Sequence, residues 1–201
     1  MRVTPVLVTR GNVDLSEILR SFNNGHWSRS AAEQIVWDDI VIWDNSKLLN
    51  FGPFGQYVAA TTANCSDVVF FQDDDCVTDP AEICQHWEVG KIVCNMPQAH
   101  QANYVKEPDK LMGFGSVFSR SLIRPTFERY NKLFPVDPVN YREPGRIFTA
   151  LNQARLKVVD VPVTNLPWAT GDDRLYKQTI HMEMARVARG RALAVLEAES
   201  Q

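Results

Sequence analysis

The 201-residue sequence lacks the features of several protein classes. No window approaches eighteen consecutive apolar residues, so we expect no transmembrane helix, and the N-terminal MRVTPVLVTRG lacks the long apolar core of a signal peptide. The 21 Lys and Arg nearly balance the 24 Asp and Glu, so no global basic field favours nucleic acid or an anionic membrane. We therefore expect a cytoplasmic protein, or one of the host cytoplasm if a phage encodes it.

The cysteines lack the paired CxxC spacing of zinc sites. Since no secretory signal precedes them, free thiols are expected at Cys65, Cys76, Cys84 and Cys94. Internal repeats, low-complexity tracts and linkers are also absent from the sequence. At 45% hydrophobic residues, a chain of this length suffices for one well-packed α/β domain, which we expect to span residues 1–201.

Strand and helix patterns alternate along the chain. Apolar β-forming runs predict strands at 4–11, 38–46, 68–76, 91–97 and 157–163, and a glycine-punctuated strand followed by a helix within 111–134. Helical spacing predicts helices at 12–22, 54–63, 145–153 and 175–199, the last of them broken near Gly190. The alternation predicts an α/β fold with a mixed, mostly parallel sheet flanked by helices.

Three consecutive aspartates follow the most apolar of these strands, in VVFFQDDDC. A solvated turn or a helix cap would explain them, but Thr78 or Asp79 before Pro80 already supplies the next cap. Neighbouring carboxylates repel one another and favour a bound cation, and Mg²⁺ or Mn²⁺ takes one or two carboxylates with water and phosphate oxygens. A metal–diphosphate site is predicted, with Asp73 and Asp75 on one side and Asp74 on the other.

Polar residues also end the first two predicted strands, as Thr9-Arg10-Gly11 and Asp44-Asn45-Ser46. Ligands bind at the carboxyl ends of strands in open α/β sheets, so these groups are expected at one edge with the aspartates. Asp44 either closes a simple turn or accepts a hydrogen bond from a ribose hydroxyl or a base N–H. Arg10 is either a surface arginine or a ligand contact at the same edge.

A basic segment precedes and enters the predicted terminal helix. Arg174 and Lys177 lie in it beside His181, and such cations can neutralise a diphosphate leaving group. The alternatives are a solvated helix face for the basic residues and a structural role for the histidine.

Four motifs in order, TRGN, DNS, QDDDC and GFGSVFSRSLI, resemble the GT-A glycosyltransferases over roughly residues 3–182. The arrangement is most similar to compact family-2-like and exostosin-like members. The resemblance implies a Rossmann-like nucleotide-binding half at about 1–97 and an acceptor half at about 98–201. It also implies a metal-dependent, hexosyltransferase-like enzyme that moves a sugar from a nucleoside-diphosphate sugar to a hydroxyl acceptor, with Mn²⁺ or Mg²⁺ as cofactor.

The resemblance implies roles for individual residues. Asp75 would be the direct metal ligand, and Asp73 would contact ribose or a metal-bound water. By position, His181 would add a metal contact, and Trp168, in a loop marked by Pro and Gly, would close over the sugar nucleotide. The residues expected to bind the nucleotide sugar are Thr9, Arg10, Asn12, Asp44, Asn45, Asp73, Asp74, Gly115, Trp168, Arg174 and Lys177.

The catalytic base is where the sequence departs from the family. Many members open a helix after the glycine-rich strand with an acidic Glu-Asp pair, whereas this chain reads NYREPGRIFTAL. The candidates for the base are Glu143 in that stretch and Asp137 in FPVDP.

Other functions fit parts of the same pattern. A nucleotidyltransferase of related fold would also use acids and a metal, although it usually has a glycine-rich basic loop after its first strand. A non-enzymatic metal-binding module would bind metal without nucleotide. The acceptor stays open among a glycan, a protein, a lipid-linked molecule and a hydroxylated base in DNA.

Overall fold

The computed structural model of the chain describes residues 1–23, 35–98, 112–135, 142–170 and 179–201. The strands in these ranges are β1 (Arg2–Thr9), β2 (Val36–Trp37), β3 (Val41–Asp44), β4 (Val68–Gln72), β5 (Cys76–Thr78), β6 (Ile92–Asn95), β7 (Ser116–Ser119), β8 (Leu156–Val159) and β9 (Val163–Asn165). The α-helices are α1 (Ser16–Asn23), α2 (Gly55–Thr62), α3 (Pro80–Cys84), α4 (Ile123–Leu133), α5 (Pro144–Leu151) and α6 (Thr179–Glu199).

Seven of the strands in the described ranges form one central sheet. Its order is β2-β1-β4-β7-β6-β8, and β3 pairs with the second half of β1 on the same side as β2. All pairings are parallel except those of β7, which runs antiparallel to β4 and β6. The predicted mixed, mostly parallel sheet flanked by helices is therefore confirmed. A smaller sheet pairs β5 antiparallel with β9.

The strands form because their side chains alternate between two buried faces. On one face, Phe71 and Phe118 pack in a core with side chains of α2, α4, α5 and α6. On the other face, Leu7 and Phe70 pack with side chains of α1 and α3. Fully burying a side chain such as Phe71 contributes about 1.5–3 kcal/mol, so strands that are apolar on both faces stay in the middle of the fold.

Several local expectations can be compared with these elements. Asp79 caps α3, since its side chain accepts a hydrogen bond from the Glu82 N–H, and the four cysteines are free thiols, as predicted. The predicted break at Gly190 is wrong, because α6 runs unbroken to Glu199. No helix in the described ranges is long and apolar enough to cross a membrane.

The short strands β2, β5 and β9 were not predicted. Each has two or three residues, too few for a period-2 pattern to stand out. The third predicted strand, 68–76, is divided in the structure into β4 and β5, with a turn between them. That turn contains the three aspartates.

Candidate active site

The carboxyl ends of β1, β3 and β4 meet at one edge of the central sheet. The register pairs Thr9 with Asp44 across β1 and β3, and Leu7 with Gln72 across β1 and β4. Residues 73–75, called the acidic turn below, follow β4 directly and lead into β5. The polar ends of three strands that are distant in sequence are thus brought together.

Burial alternates along the acidic turn. Asp74 is buried, and its carboxylate Oδ2 accepts a 2.9 Å hydrogen bond from the Thr9 hydroxyl at the end of β1. Asp73 and Asp75, on either side of it, are half-buried. Asp74 therefore ties the turn to β1, whereas Asp73 and Asp75 are each partly exposed as residues.

Main-chain atoms of the acidic turn are held from three further directions. The Asp73 N–H donates to the Gly113 carbonyl at 3.0 Å, and the Leu166 N–H donates to the Asp75 carbonyl at 2.8 Å. The indole Nε1 of Trp168 donates to the Asp74 carbonyl at 2.7 Å. Trp168, expected to cover the sugar nucleotide, thus has a contact with the acidic turn that the sequence did not predict.

Two glycines before β7 allow the chain to lie close to the acidic turn. A Cβ atom on Gly113 would overlap the carboxylate of Asp73. Gly115 has φ +102°, and a Cβ there would lie 2.6 Å from Ile83 Cδ1. Residues 113–115, called the glycine-rich stretch below, therefore pack closely beside the acidic turn. Gly115 is buried.

A cavity of about 470 Å³ opens beside these strand ends. We call it the edge cavity, and its volume is in the range of small-molecule sites. Its apolar lining includes Val13, Leu15 and Leu48, and ligand pockets are lined mainly by such side chains with a few polar groups among them. The lining residues are Thr9, Gly11, Val13, Leu15, Ile42, Asp44, Lys47 and Leu48.

Asp44 and Lys47 form an ion pair in the lining of the edge cavity. Hydrogen bonds from the Ser46 hydroxyl and from Lys47, and then from the Ser46 N–H, lower the pKa of Asp44 to about 2. The Ser46 hydroxyl donates to Oδ1 at 2.6 Å, and the Lys47 ammonium lies 3.0 Å from Oδ2. Gly11, with φ +86°, approaches this pair so closely that a Cβ would overlap both Asp44 and Ser46.

Asn45 follows Asp44 and organises the loop between β3 and α2. Its Oδ1 accepts hydrogen bonds from Trp43 Nε1 at 3.2 Å and from the Phe51 N–H at 3.1 Å, and its Nδ2 donates to the Gly52 carbonyl. These bonds fix the loop between β3 and α2. Arg10 is half-buried just beyond β1, and Asn12 is exposed in the loop that follows.

Glu143 lies at the N-terminal cap position of α5 in a buried ion pair. Arg146 Nε donates to its Oε2 at 3.1 Å, and both side chains are only 5% exposed. The hydroxyl of Tyr57 comes near the same helix start, 3.9 Å from a Cβ built on Gly145. Burial raises the pKa of Tyr57 well above its ordinary value, with smaller contributions from Cys94 and Asp73.

The remaining candidates fall outside the part of the chain that the structure describes. They are Asp137, Arg174 and Lys177, together with the side chain of His181, whose backbone lies in α6.

Sequence reasoning missed several residues of this edge. Val13, Leu15 and Lys47 line the edge cavity but belong to no motif. Gln72 could have been noticed in the sequence, because it is a polar residue at the end of an otherwise apolar run. In the structure it is fully buried.

The described residues contain no group of three or more His, Cys, Asp or Glu side chains arranged to hold a metal ion. The acidic turn nevertheless supplies two half-buried carboxylates, Asp73 and Asp75. Mg²⁺ and Mn²⁺ use one or two protein carboxylates when phosphate and water complete the shell. The residues therefore fit a cation that arrives with a diphosphate rather than a closed structural metal site.

No protein-family model matches the chain, and no curated protein matches its sequence. Among solved structures, the fold is similar to that of S. aureus TarS 1–349 in complex with UDP. The TM-score is 0.50 at 12% sequence identity, over 98% of this chain and 70% of TarS 1–349. At this identity the similarity concerns the fold alone.

Proposed function

We propose that this chain is a metal-dependent glycosyltransferase that moves a sugar, in the first instance a hexose, from a nucleoside-diphosphate sugar to a hydroxyl acceptor. The glycosyltransferase-like fold supports this, and the UDP in the TarS structure makes a uridine nucleotide the first ligand to test.

One observation carries the proposal, namely that the edge cavity and the acidic turn share Thr9. Thr9 lines the cavity, and its hydroxyl donates to Asp74 in the turn. A nucleoside in the cavity would therefore lie next to a diphosphate at the turn, in the order that a nucleotide sugar requires. Asp44, ionised and in register with Thr9, would accept a hydrogen bond from the nucleoside.

The acidic turn would hold the diphosphate through a divalent cation. Asp75, aided by Asp73, would bind Mn²⁺ or Mg²⁺, which as a Lewis acid stabilises negative charge on the leaving diphosphate. Arg174, Lys177 and His181 are proposed to add cationic contacts. The acceptor oxygen forms a bond to the anomeric carbon, and the bond from that carbon to the diphosphate breaks.

Glu143 is our candidate for the group that takes the proton of the acceptor hydroxyl. Its position at the start of α5 supports this role, and the ion pair with Arg146 would fix one carboxylate oxygen while the other accepts the proton. General-base catalysis contributes about 10²–10⁴-fold in rate, so Glu143→Gln should lower kcat by that factor with little change in nucleotide binding. Asp137→Asn is the parallel variant, and a larger loss there would move the role to Asp137.

A thermal-shift panel tests the binding part of the proposal. UDP, GDP, ADP, CDP and dTDP are added with and without Mn²⁺ or Mg²⁺ to the parent and to Asp75→Ala. A ligand at a hundred times its Kd stabilises by about 2.7 kcal/mol, which raises Tm by roughly 5–11 °C in a protein of this size.

The control variant is Asp67→Ala, which removes an acid that precedes β4 instead of following it. We expect one nucleotide to stabilise the parent and Asp67→Ala in a metal-dependent way, but not Asp75→Ala. Stabilisation by metal alone, with no added effect of any nucleotide, would favour the non-enzymatic metal-binding module. The preferred nucleotide is then used to screen glycan, protein, lipid-linked and DNA acceptors.

A further inference from the structure

Gln72 occupies a position where an apolar residue would be expected. It ends β4, in which all five residues are buried, and its own side chain has no exposed surface. The carboxamide Nε2 donates to the Cys76 carbonyl at 2.6 Å. This hydrogen bond joins the residue before the acidic turn to the residue after it, and it spans Asp73, Asp74 and Asp75.

The base of the turn is held by a second buried carboxamide. Gln56, on α2 and 3% exposed, donates from Nε2 to the main-chain carbonyl of Gln72 at 2.6 Å. The two carboxamides act in series, because Gln56 fixes the end of β4 and Gln72 fixes the start of β5 relative to it.

The orientation of the Gln72 carboxamide follows from its partner. The Cys76 carbonyl can only accept, so the nitrogen must face it. The other carboxamide atom, Oε1, is buried and has no hydrogen-bond partner among the described residues. A buried acceptor without a partner destabilises a fold, and a methionine of similar volume would avoid that cost.

We propose that Gln72 is a positioning residue, whose hydrogen bond across the acidic turn sets the separation of the Asp73 and Asp75 carboxylates for a divalent cation and its diphosphate. The effect on metal and diphosphate binding rests on the proposed function. The hydrogen bond from Gln72 to Cys76, which closes the turn, does not depend on that function. The unsatisfied Oε1 is the cost of keeping the donor that closes the turn.

The test compares Gln72→Met with a matched control, Asn152→Leu. Asn152 is also a buried carboxamide, but it donates to Thr126 and Phe148 at the end of α5, away from the turn. Two quantities are measured on each variant: Mn²⁺ affinity by electron paramagnetic resonance in the presence of the nucleotide that stabilises the parent, and amide hydrogen exchange of Asp73 and Leu166. If Gln72→Met fails to fold, Gln72→Asn replaces it, since its shorter side chain keeps a carboxamide but does not reach Cys76.

We expect Gln72→Met to weaken Mn²⁺ binding about tenfold or more and to speed exchange at Asp73 and Leu166, the two amides that donate around the turn. Asn152→Leu should lower Tm without either effect. Parent-like Mn²⁺ affinity in Gln72→Met would overturn the inference. If the parent binds neither metal nor nucleotide, the proposed function fails. The positioning role is then decided by amide exchange alone, and exchange at Asp73 and Leu166 that is the same in Gln72→Met as in the parent would refute it.

Discussion

Trp168 shows how one hydrogen bond changes the role expected for a residue. Its position in a loop marked by Pro and Gly predicts an aromatic cover over the sugar nucleotide. In the structure its indole donates to the Asp74 carbonyl, so a change at Trp168 acts first on the acidic turn.

Replacing Trp168 with Phe keeps most of the ring and removes only the donor. A hydrogen bond of this kind contributes about 0.5–1.5 kcal/mol, so metal-dependent nucleotide binding should weaken by about two- to tenfold, measured by calorimetric titration. Trp87→Phe is the control, since the Trp87 indole makes a similar bond to the Lys91 carbonyl away from the turn. Equal losses of binding in the two variants would contradict a specific role for Trp168.

Asp44 leads to a prediction about pH. Its pKa is about 2 in the folded chain against an ordinary value of 3.8, so its carboxylate favours folding above pH 3.8. That contribution is lost as the pH falls from 3.8 through about 2, because the unfolded chain takes up the proton first. Ser46→Ala removes the hydroxyl that lowers this pKa most, and a carbon-detected NMR titration should then give a pKa closer to 3.8. An unchanged value near 2 would show that Lys47 and the Ser46 N–H suffice.

At the scale of elements, three glycines differ in the space around their Cα atoms. Gly113 faces the Asp73 carboxylate, Gly115 has a positive φ within the core, and Gly190 lies on the exposed side of α6 with open space around it. Alanine should therefore have a different effect at each position.

Gly113→Ala should displace the Asp73 carboxylate and abolish metal-dependent nucleotide binding, with a smaller effect on Tm. Gly115→Ala should lower stability by about 1–3 kcal/mol, since the new methyl group meets Ile83 and Phe70 at a backbone conformation that favours glycine. Binding titrations and melting curves on both variants separate the two effects. Parent-like nucleotide binding in Gly113→Ala would contradict the close approach of Asp73.

Gly190→Ala tests the continuity of α6. Alanine in the interior of an exposed helix is more favourable than glycine by about 0.5–1 kcal/mol, so Tm should rise by roughly 1–4 °C. A fall in Tm would indicate that the helix needs the glycine there.

The sequence predicted elements well where a long apolar pattern determines them. The buried strand Val68–Gln72 and the helix Gly55–Thr62 are close to the predicted ranges. By contrast, β5 and β9 exist because they pair with each other across 85 to 89 positions of sequence, which no local pattern can reveal. The aspartates were recognisable as a run of three, but the hydrogen bonds from Leu166 and Trp168 to their carbonyls come from the segment at the end of β9, far along the chain.

At the scale of the whole molecule, Asn95 joins distant segments behind the site. It is fully buried at the end of β6, and its Nδ2 donates to the Phe114 and Val161 carbonyls at 3.0 Å and to the Thr78 hydroxyl at 3.3 Å. Its Oδ1 accepts from the Val161 N–H. One side chain thus holds together the glycine-rich stretch, β5 and the connection between β8 and β9.

Asn95→Leu should therefore destabilise the whole fold. Leaving several buried groups unpaired costs about 3 kcal/mol in total, which predicts a fall in Tm of roughly 6–12 °C. Asn45→Leu, which loses bonds only within the loop between β3 and α2, should lower stability less. A similar Tm for the two variants would show that Asn95 has no special structural role.

The central claim is that a nucleotide occupies the edge cavity while its diphosphate lies at the acidic turn with a divalent cation. The most direct measurement is a two-dimensional amide NMR spectrum of the chain with UDP, or with whichever nucleotide stabilises it, and Mg²⁺, followed by replacement with Mn²⁺. We expect the nucleotide to shift the signals of Gly11 and Lys47, and Mn²⁺ to broaden those of the acidic turn only when nucleotide is present. Shifts that avoid the cavity, or broadening centred elsewhere in the chain, would contradict the account.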